Sequence, residues 1–358
     1  MGRNLRLASF VRGGAGFSLQ RGLQSPPLAS FFRARIMGQS TSLRRTIHPP
    51  IRLLASFFLV LAAAVSARAD TYFLTVAGLG AEAEYEQRFS GWAKDLDKIV
   101  RGEPGAKVDT LTGTDATKAN LETKLRAIAG QAKADDTVIL TLIGHGTYDD
   151  RDYKFALPGP DISASEMAQL LDRIQAKVLV VNTTSSSGGS LPILQKPKRV
   201  VITSTKTGSE KNVTVFARYW IEALRDPAAD ADKNGIISAL EAFKYAEAKT
   251  AKYFEAQNWL ATEHCLLEDA GKGDGVKDPG PENGEGQIAG RFALLHLGAV
   301  AGVVNDPKKQ DLLKKKEELE TQIDELKYHK AAMDTAQYQS QLRKLLLELA
   351  QTQEELDK

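Results

Sequence analysis

The chain has 358 residues with 47 Lys and Arg, 45 Asp and Glu, five His and one Cys; 42% of it is apolar and its formal net charge is +2. That composition excludes a collagen, a low-complexity chain and a disulfide scaffold, and one Cys can form neither an internal bridge nor a thiolate zinc cluster. The length suits one large α/β domain with an appendage, or two domains.

The charge is unevenly distributed. Residues 1–69 hold ten Arg and no Lys, Asp or Glu, leaving 37 basic against 45 acidic residues from Asp70 onward, a net of −8. Arg44, Arg45 and Arg52 precede an apolar run from Leu53 to Val65. That run is too short for a membrane span of ~20 residues and suits the apolar region of an export signal, with Ala67-Arg68-Ala69 as its small-residue cleavage site. Residues 1–69 are therefore expected to be an export signal, with Met37 as an alternative start and Asp70 as the mature N-terminus. The expected location is periplasmic or extracellular, with no transmembrane span once the signal is removed. An uncleaved anchor is the alternative.

From Tyr72 the pattern alternates strand and helix. Tyr72–Ala77, Val108–Leu111, Thr137–Ile143, Lys177–Val181 and Arg199–Thr203 read as strands. Phe89, Trp92, Leu96 and Ile99 recur at helical spacing, as do Leu121, Leu125 and Ile128 behind Asp115 or Thr117 as cap. Met167, Leu170, Leu171 and Ile174 do the same behind Ser163 or Ser165. This βαβ rhythm predicts a mostly parallel sheet with helices on both faces, and sites in such sheets form at the carboxyl ends of strands.

Two strand ends stand out. Thr137–Ile143 runs into Gly144-His145-Gly146, where the glycines allow a sharp turn beside an imidazole. Lys177–Val181 runs into Asn182-Thr183-Thr184-Ser185-Ser186-Ser187-Gly188-Gly189, a hydroxyl-rich loop able to present a nucleophile and backbone N–H donors. Read alone, such a loop is as readily only a loop, and a lone His only structural.

Val138–Gly146, Phe155-Ala156-Leu157-Pro158-Gly159 and Val178–Gly189 together resemble the legumain/caspase-like clan of cysteine peptidases, over roughly residues 70–225. The resemblance implies a three-layer α/β/α caspase-like sandwich over 70–225 and a peptide ligand. It carries the His over onto His145, and matches the clan's C-x-S-G at Ser187-Gly188, which puts the nucleophile's position at Ser185, with Thr184 one residue off. The Cys is thus replaced; Cys265 lies far downstream.

A thiol supplies some thiolate near neutral pH and tolerates a loosely placed His, whereas a serine needs a hydrogen-bonded base that is itself oriented by a third group. Asp149 and Asp150 are near in sequence but unmatched to that role. The expectation is a pseudopeptidase acting as a binding or assembly module. The alternative is an active hydrolase, a peptidase using Ser185 or Thr184 with His145.

The strongest local motif lies in 226–304, a region expected to pack on the α/β domain. Asp230, Asp232 and Asn234 occupy positions 1, 3 and 5 of a 12-residue EF-hand-type loop. Gly235 allows its turn, Ile236 offers a carbonyl, Ser238 sits where a ligand often works through water, and Glu241 closes the site as the bidentate ligand. Ca2+ is the expected cofactor, held structurally because no second loop of this type accompanies it. Downstream, Asp269, Asp274, Asp278, Glu282 and Glu285 lie among glycines. Exported bacterial proteins of the clan pair an EF-type loop with such a stretch, so the resemblance implies a second, weaker cation site; a solvated surface loop is the alternative. His264 and Cys265 read as structural.

Residues 305–358 read as a coiled-coil helix. Leu312, Leu319, Leu326 and Met333 repeat every seven residues with Ile323 on the same seam, and Leu342, Leu349 and Leu356 resume after a nine-residue step. The chain is either a single rod of about 75 Å or a hairpin broken near 334–337. Its seam, over 308–358, calls for a protein partner or self-association. Nucleic acid is not an expected partner: from Asp70 onward the chain is acidic and has no basic stripe.

Overall fold

A computed structural model describes residues 69–298, 309–356 and 358. The expected export signal and alternative start lie outside the described residues, as does most of the connection between the body and the C-terminal helices. In chain order the elements are β1 (Thr71–Ala77), α1 (Ala83–Val100), β2 (Ala106–Leu111), α2 (Lys118–Gln131), β3 (Thr137–Ile143), β4 (Gly146–Tyr148), β5 (Tyr153–Phe155), β6 (Ile162–Ser163) and α3 (Ala164–Leu171). There follow β7 (Lys177–Asn182), α4 (Leu191–Leu194), β8 (Arg199–Thr203), α5 (Phe216–Ala223), β9 (Ile236–Ser238), α6 (Ala239–Ala256), β10 (Leu266–Glu268), β11 (Ala293–His296), α7 (Gln310–His329) and α8 (Thr335–Leu356).

The central sheet has the order β10-β8-β7-β3-β1-β2. All its pairs are parallel except β10 with β8. Its strands are apolar almost throughout because both faces are covered. Alternate side chains point to opposite faces: Leu74, Leu140, Val178 and Val180 meet α2, α3 and α4 on one side. Phe73, Ile139, Leu179 and Ile202 meet α1, α5 and α6 on the other. The α/β class, the mostly parallel sheet and the three layers are those the sequence led us to expect. The helix starts are also resolved: Thr117 caps α2 through the Asn120 N–H, and Ser163 forms a capping box with Glu166 at α3, each satisfying N–H groups the first turn leaves open.

The C-terminal helices form a hairpin, not a rod. Met333 is extended, and the Asp334 carboxylate accepts the N–H groups of Ala336 and Gln337 at 2.9 and 3.1 Å. A side-chain cap at this point starts a new helix, which is why the heptad loses phase there. Leu319, Ile323 and Leu326 of α7 are buried, and Leu313 closes the open end of the hairpin against Leu356. Leu342 and Leu349 of α8 are only half-buried.

Antiparallel pairing of β11 with β9 places His296 opposite Ile236. The His296 N–H donates to Glu103 Oε2 at 3.0 Å, its Nδ1 bonds Glu103 Oε1, and Nε2 lies 3.7 Å from Glu317. Burial alone would lower this imidazole, but the two carboxylates outweigh it and raise it to about 9. A His whose folded pKa exceeds its unfolded value of ~6.5 contributes stability that is complete below pH 6.5 and is lost as pH rises through 9. Thermal unfolding at pH 6.5 and 9.5 is expected to differ by roughly 5 °C from this group, a component missing in His296→Gln; an unchanged pH dependence in that variant would refute it.

Candidate functional site

β3 and β7 lie side by side, with Leu142 opposite Asn182, so the two unusual strand ends are neighbours. Gly144 leaves β3 at φ +150°, where a Cβ would press on Phe155 and Gly78. The His145 imidazole is half-buried and meets Tyr85 and Phe89 edge-on, with ring centres 5.3 and 5.1 Å away. Among the described residues no side chain hydrogen-bonds to it.

Ser185 reaches Gly146, the residue after His145, but its hydroxyl is spent on backbone. Oγ accepts the Gly146 N–H at 3.1 Å and donates to the Gly146 carbonyl at 3.0 Å. The residue is 3% exposed. Thr184 is fully buried; its hydroxyl donates to Asn182 Oδ1 at 2.8 Å and bonds the Tyr153 phenol. Burial holds that phenol well above its ordinary pKa, so it stays protonated and hydrogen-bonding. The network continues from Asn182 Nδ2 to Ser190 Oγ, from there to the Ser187 carbonyl, and from Ser187 Oγ to Ser204 and Thr205.

Three backbone donors of the loop are committed too. Ser186 N–H donates to the Glu210 carbonyl, Gly188 N–H to Thr205 Oγ1 and Gly189 N–H to the Ser186 carbonyl. An oxyanion needs unengaged donors aimed at one point, and each of these already has an acceptor. The two glycines serve packing: a Cβ on Gly188 would sit 2.3 Å from the Lys206 carbonyl carbon, and one on Gly189 2.5 Å from the Tyr148 ring. Asp149 turns inward on its own hairpin. Its carboxylate accepts the Arg151 and Asp152 N–H groups and pairs with Lys154, and these bonds hold its carboxyl down at about 2.

The Asp230–Glu241 loop has a different character. Asp230 accepts the Asn234 and Gly235 N–H groups. Asn234 Oδ1 accepts from Ile236, and Gly235 takes φ +85°, a conformation a side chain would disfavour. Glu241 Oε1 accepts from Ala231, and Oε2 accepts from the Ser238 N–H and hydroxyl. Oxygens of Asp230, Asp232 and Glu241 all lie within 4.8 Å of one another. Burial and the neighbouring Glu241 and Asp230 charges push the Asp232 carboxyl up to about 6. Three hard oxygen donors converging without a basic side chain among them fit Ca2+ by the chemistry of the donor set.

In the second acidic stretch the carboxylates work as staples. Asp269 accepts the N–H groups of Gly286, Ile288 and Ala289, and Glu285 those of Asp269 and Ala270. Asp274, Asp278 and Glu282 are exposed. Among the described residues only Asp230, Asp232 and Glu241 bring three potential ligand atoms together. His264 pairs with Glu210, and Cys265 is buried, its thiol pushed well up by burial.

No family model matches the chain, and no curated protein matches it. Its fold is similar to several solved structures. A protein from Geobacter sulfurreducens aligns at 14% identity over 64% of this chain and 100% of that one, with a TM-score of 0.40. Caspase-1 from Spodoptera frugiperda aligns at 11% identity over 57% and 86%, with a TM-score of 0.38. The Drosophila initiator caspase Dronc aligns at 9% identity over 58% and 82%, with a TM-score of 0.37. Among the described residues no helix is long and apolar enough to cross a membrane.

Two residues escaped the sequence reading. Ser186 sits at φ +57° with its buried hydroxyl unpartnered among the described residues, and nothing in a run of three serines marks the middle one as left-handed. Glu263 is buried, and its carboxylate accepts the Val215 and Phe216 N–H groups at the start of α5, 47 residues away in sequence. If the Ser185 hydroxyl is a backbone tie, Ser185→Ala should cost about 1–2 kcal/mol, the penalty for orphaning buried Gly146 groups. Gly188→Ala, with backbone in its way, should cost about 3 kcal/mol. Urea unfolding of both variants measures this; a neutral Ser185→Ala would remove the structural role.

Proposed function

We propose that the protein is an exported, calcium-binding, caspase-like pseudopeptidase that acts as a binding or assembly module. The observation that carries the non-catalytic part is the reciprocal pair of hydrogen bonds between the Ser185 hydroxyl and the Gly146 backbone. To act as a nucleophile, Ser185 would have to leave both bonds, strand a buried N–H and carbonyl, and then find a general base. His145 instead packs edge-on beside the neighbouring rings of Tyr85 and Phe89. A serine without a positioned base is a weak nucleophile. The caspase-like reading draws on this chain's own arrangement: a Gly-His-Gly turn after one parallel strand beside a Ser-Gly loop after the next.

Calcium binding rests on the convergence of Asp230, Asp232 and Glu241. In that reading Asn234 Oδ1, the Ile236 carbonyl and, through water, Ser238 complete the donor set. The ion would supply charge neutralisation where three carboxylates crowd. The strand β9 inside the loop pairs with β11, in the place where a second loop of the same kind would otherwise give it a partner. That favours a structural ion over a switching pair.

Two measurements test the reading. A serine-directed fluorophosphonate is expected to leave the protein unlabelled; labelling that disappears in Ser185→Ala would establish the hydrolase instead. Added Ca2+ at about 100 times its Kd should stabilise the fold by about 2.7 kcal/mol, seen as a rise in Tm. No rise, or an equal rise in Glu241→Gln, would exclude the calcium site.

A further inference from the structure

Helix α7 of the C-terminal hairpin lies against one side of the proposed calcium loop, which leaves Asp232 exposed. Lys316 of α7, 8% exposed, donates from Nζ to the Asn234 carbonyl at 2.9 Å. Its ammonium lies 3.8 Å from Glu320, one turn along the same helix. On either side, α7 is fixed to the segments that flank the loop. Glu317 approaches His296 on β11, Arg291 pairs with Glu325 at 2.8 Å, and the Tyr328 hydroxyl donates to the Glu285 carbonyl at 2.9 Å. The face of α7 turned to the loop is acidic: Asp324 and Glu320 are close enough to Asp232 for their charges to interact.

Seating α7 therefore brings Glu320 and Asp324 toward Asp232. Lys316 lies beside Glu320 and Lys327 pairs with Asp324 at 2.9 Å, and with Asp230 and Glu241 the carboxylates still outnumber these two bases. Like charges at such separations repel, least weakly where water is excluded. A divalent cation in the loop removes two units of that negative charge, and the α7 carboxylates in turn deepen the field that attracts the cation. The two effects are one coupling seen from both sides.

We propose that calcium in the Asp230–Glu241 loop fastens the C-terminal hairpin to the body through Lys316, Glu320 and Asp324 of α7. The proposal rests on the calcium reading above. When the ion leaves, the repulsion between loop and helix returns and α7 opens locally, releasing its buried Leu319, Ile323 and Leu326. The body keeps its own core, because none of those three residues belongs to the apolar clusters on either side of the sheet.

The test is amide hydrogen exchange of the full chain in Ca2+ and in EGTA, with calcium affinity measured separately by calorimetry. Amides of Leu319–Leu326 are expected to exchange at least about 10-fold faster in EGTA, while those of β3 hold their protection. The double variant Glu320→Gln/Asp324→Asn should keep α7 protected in EGTA and bind calcium about 10-fold more weakly, within the usual range of such couplings. If calorimetry detects no calcium binding, the calcium reading itself fails. If calcium binds but α7 exchanges alike with and without it, or if the double variant keeps the full calcium dependence, the fastening is refuted and the calcium site stands.

Discussion

The register of β3 against β7 is the constraint on which the rest depends. Parallel pairing sets Leu142 against Asn182, and the Leu142 carbonyl then accepts both the N–H and the hydroxyl of Thr183. That pairing brings the two strand ends to one edge of the sheet, so Ser185 reaches Gly146 and no other partner is needed for its hydroxyl. A one-residue slip would turn every side chain of β7 to the opposite face. It would expose Val178 and Val180 to the wrong layer and dissolve the hydroxyl network beyond the strand.

That network gives the chemistry of this edge its character. A catalytic loop keeps donors and a nucleophile unengaged, waiting for substrate. Here most of the buried hydroxyls satisfy one another or the backbone, the Ser186 hydroxyl being this edge's exception among the described residues. The carboxylates follow the same logic with different outcomes. Asp269, Glu285 and Glu263 are buried and stapled to backbone N–H groups, which makes them parts of the fold. Asp230, Asp232 and Glu241 also accept N–H groups, yet their oxygens converge within 4.8 Å of one another as well.

Much of the fold was legible because its signals are local. Apolar runs marked the parallel strands, helical spacing marked the covering helices, and Thr117 and Ser163 stood among the candidate caps. The acidic Asp230–Glu241 loop was equally legible: its twelve positions are consecutive, so the glycine turn and the carboxylates that converge can be read from one window. The short strands β4, β5, β6 and β11 gave no such signal, since two to four residues carry too little periodicity to separate strand from loop.

His145 and Ser185 show where reading by residue type ends. The chain itself determined that an imidazole and a hydroxyl-rich, glycine-ended loop follow two buried strands, that no Cys stands between them, and that Asp230, Asp232 and Glu241 lie within twelve residues of one another. Tertiary structure decided what those groups touch. It turned the Ser185 hydroxyl onto the Gly146 backbone and set aromatic rings against His145. It also broke the C-terminal heptad at the Asp334 cap and laid α7 against the Asp230–Glu241 loop. The physical reason is that side-chain direction and hydrogen-bond partners depend on residues distant in the chain: 39 positions separate Ser185 from Gly146, and 82 separate Lys316 from Asn234.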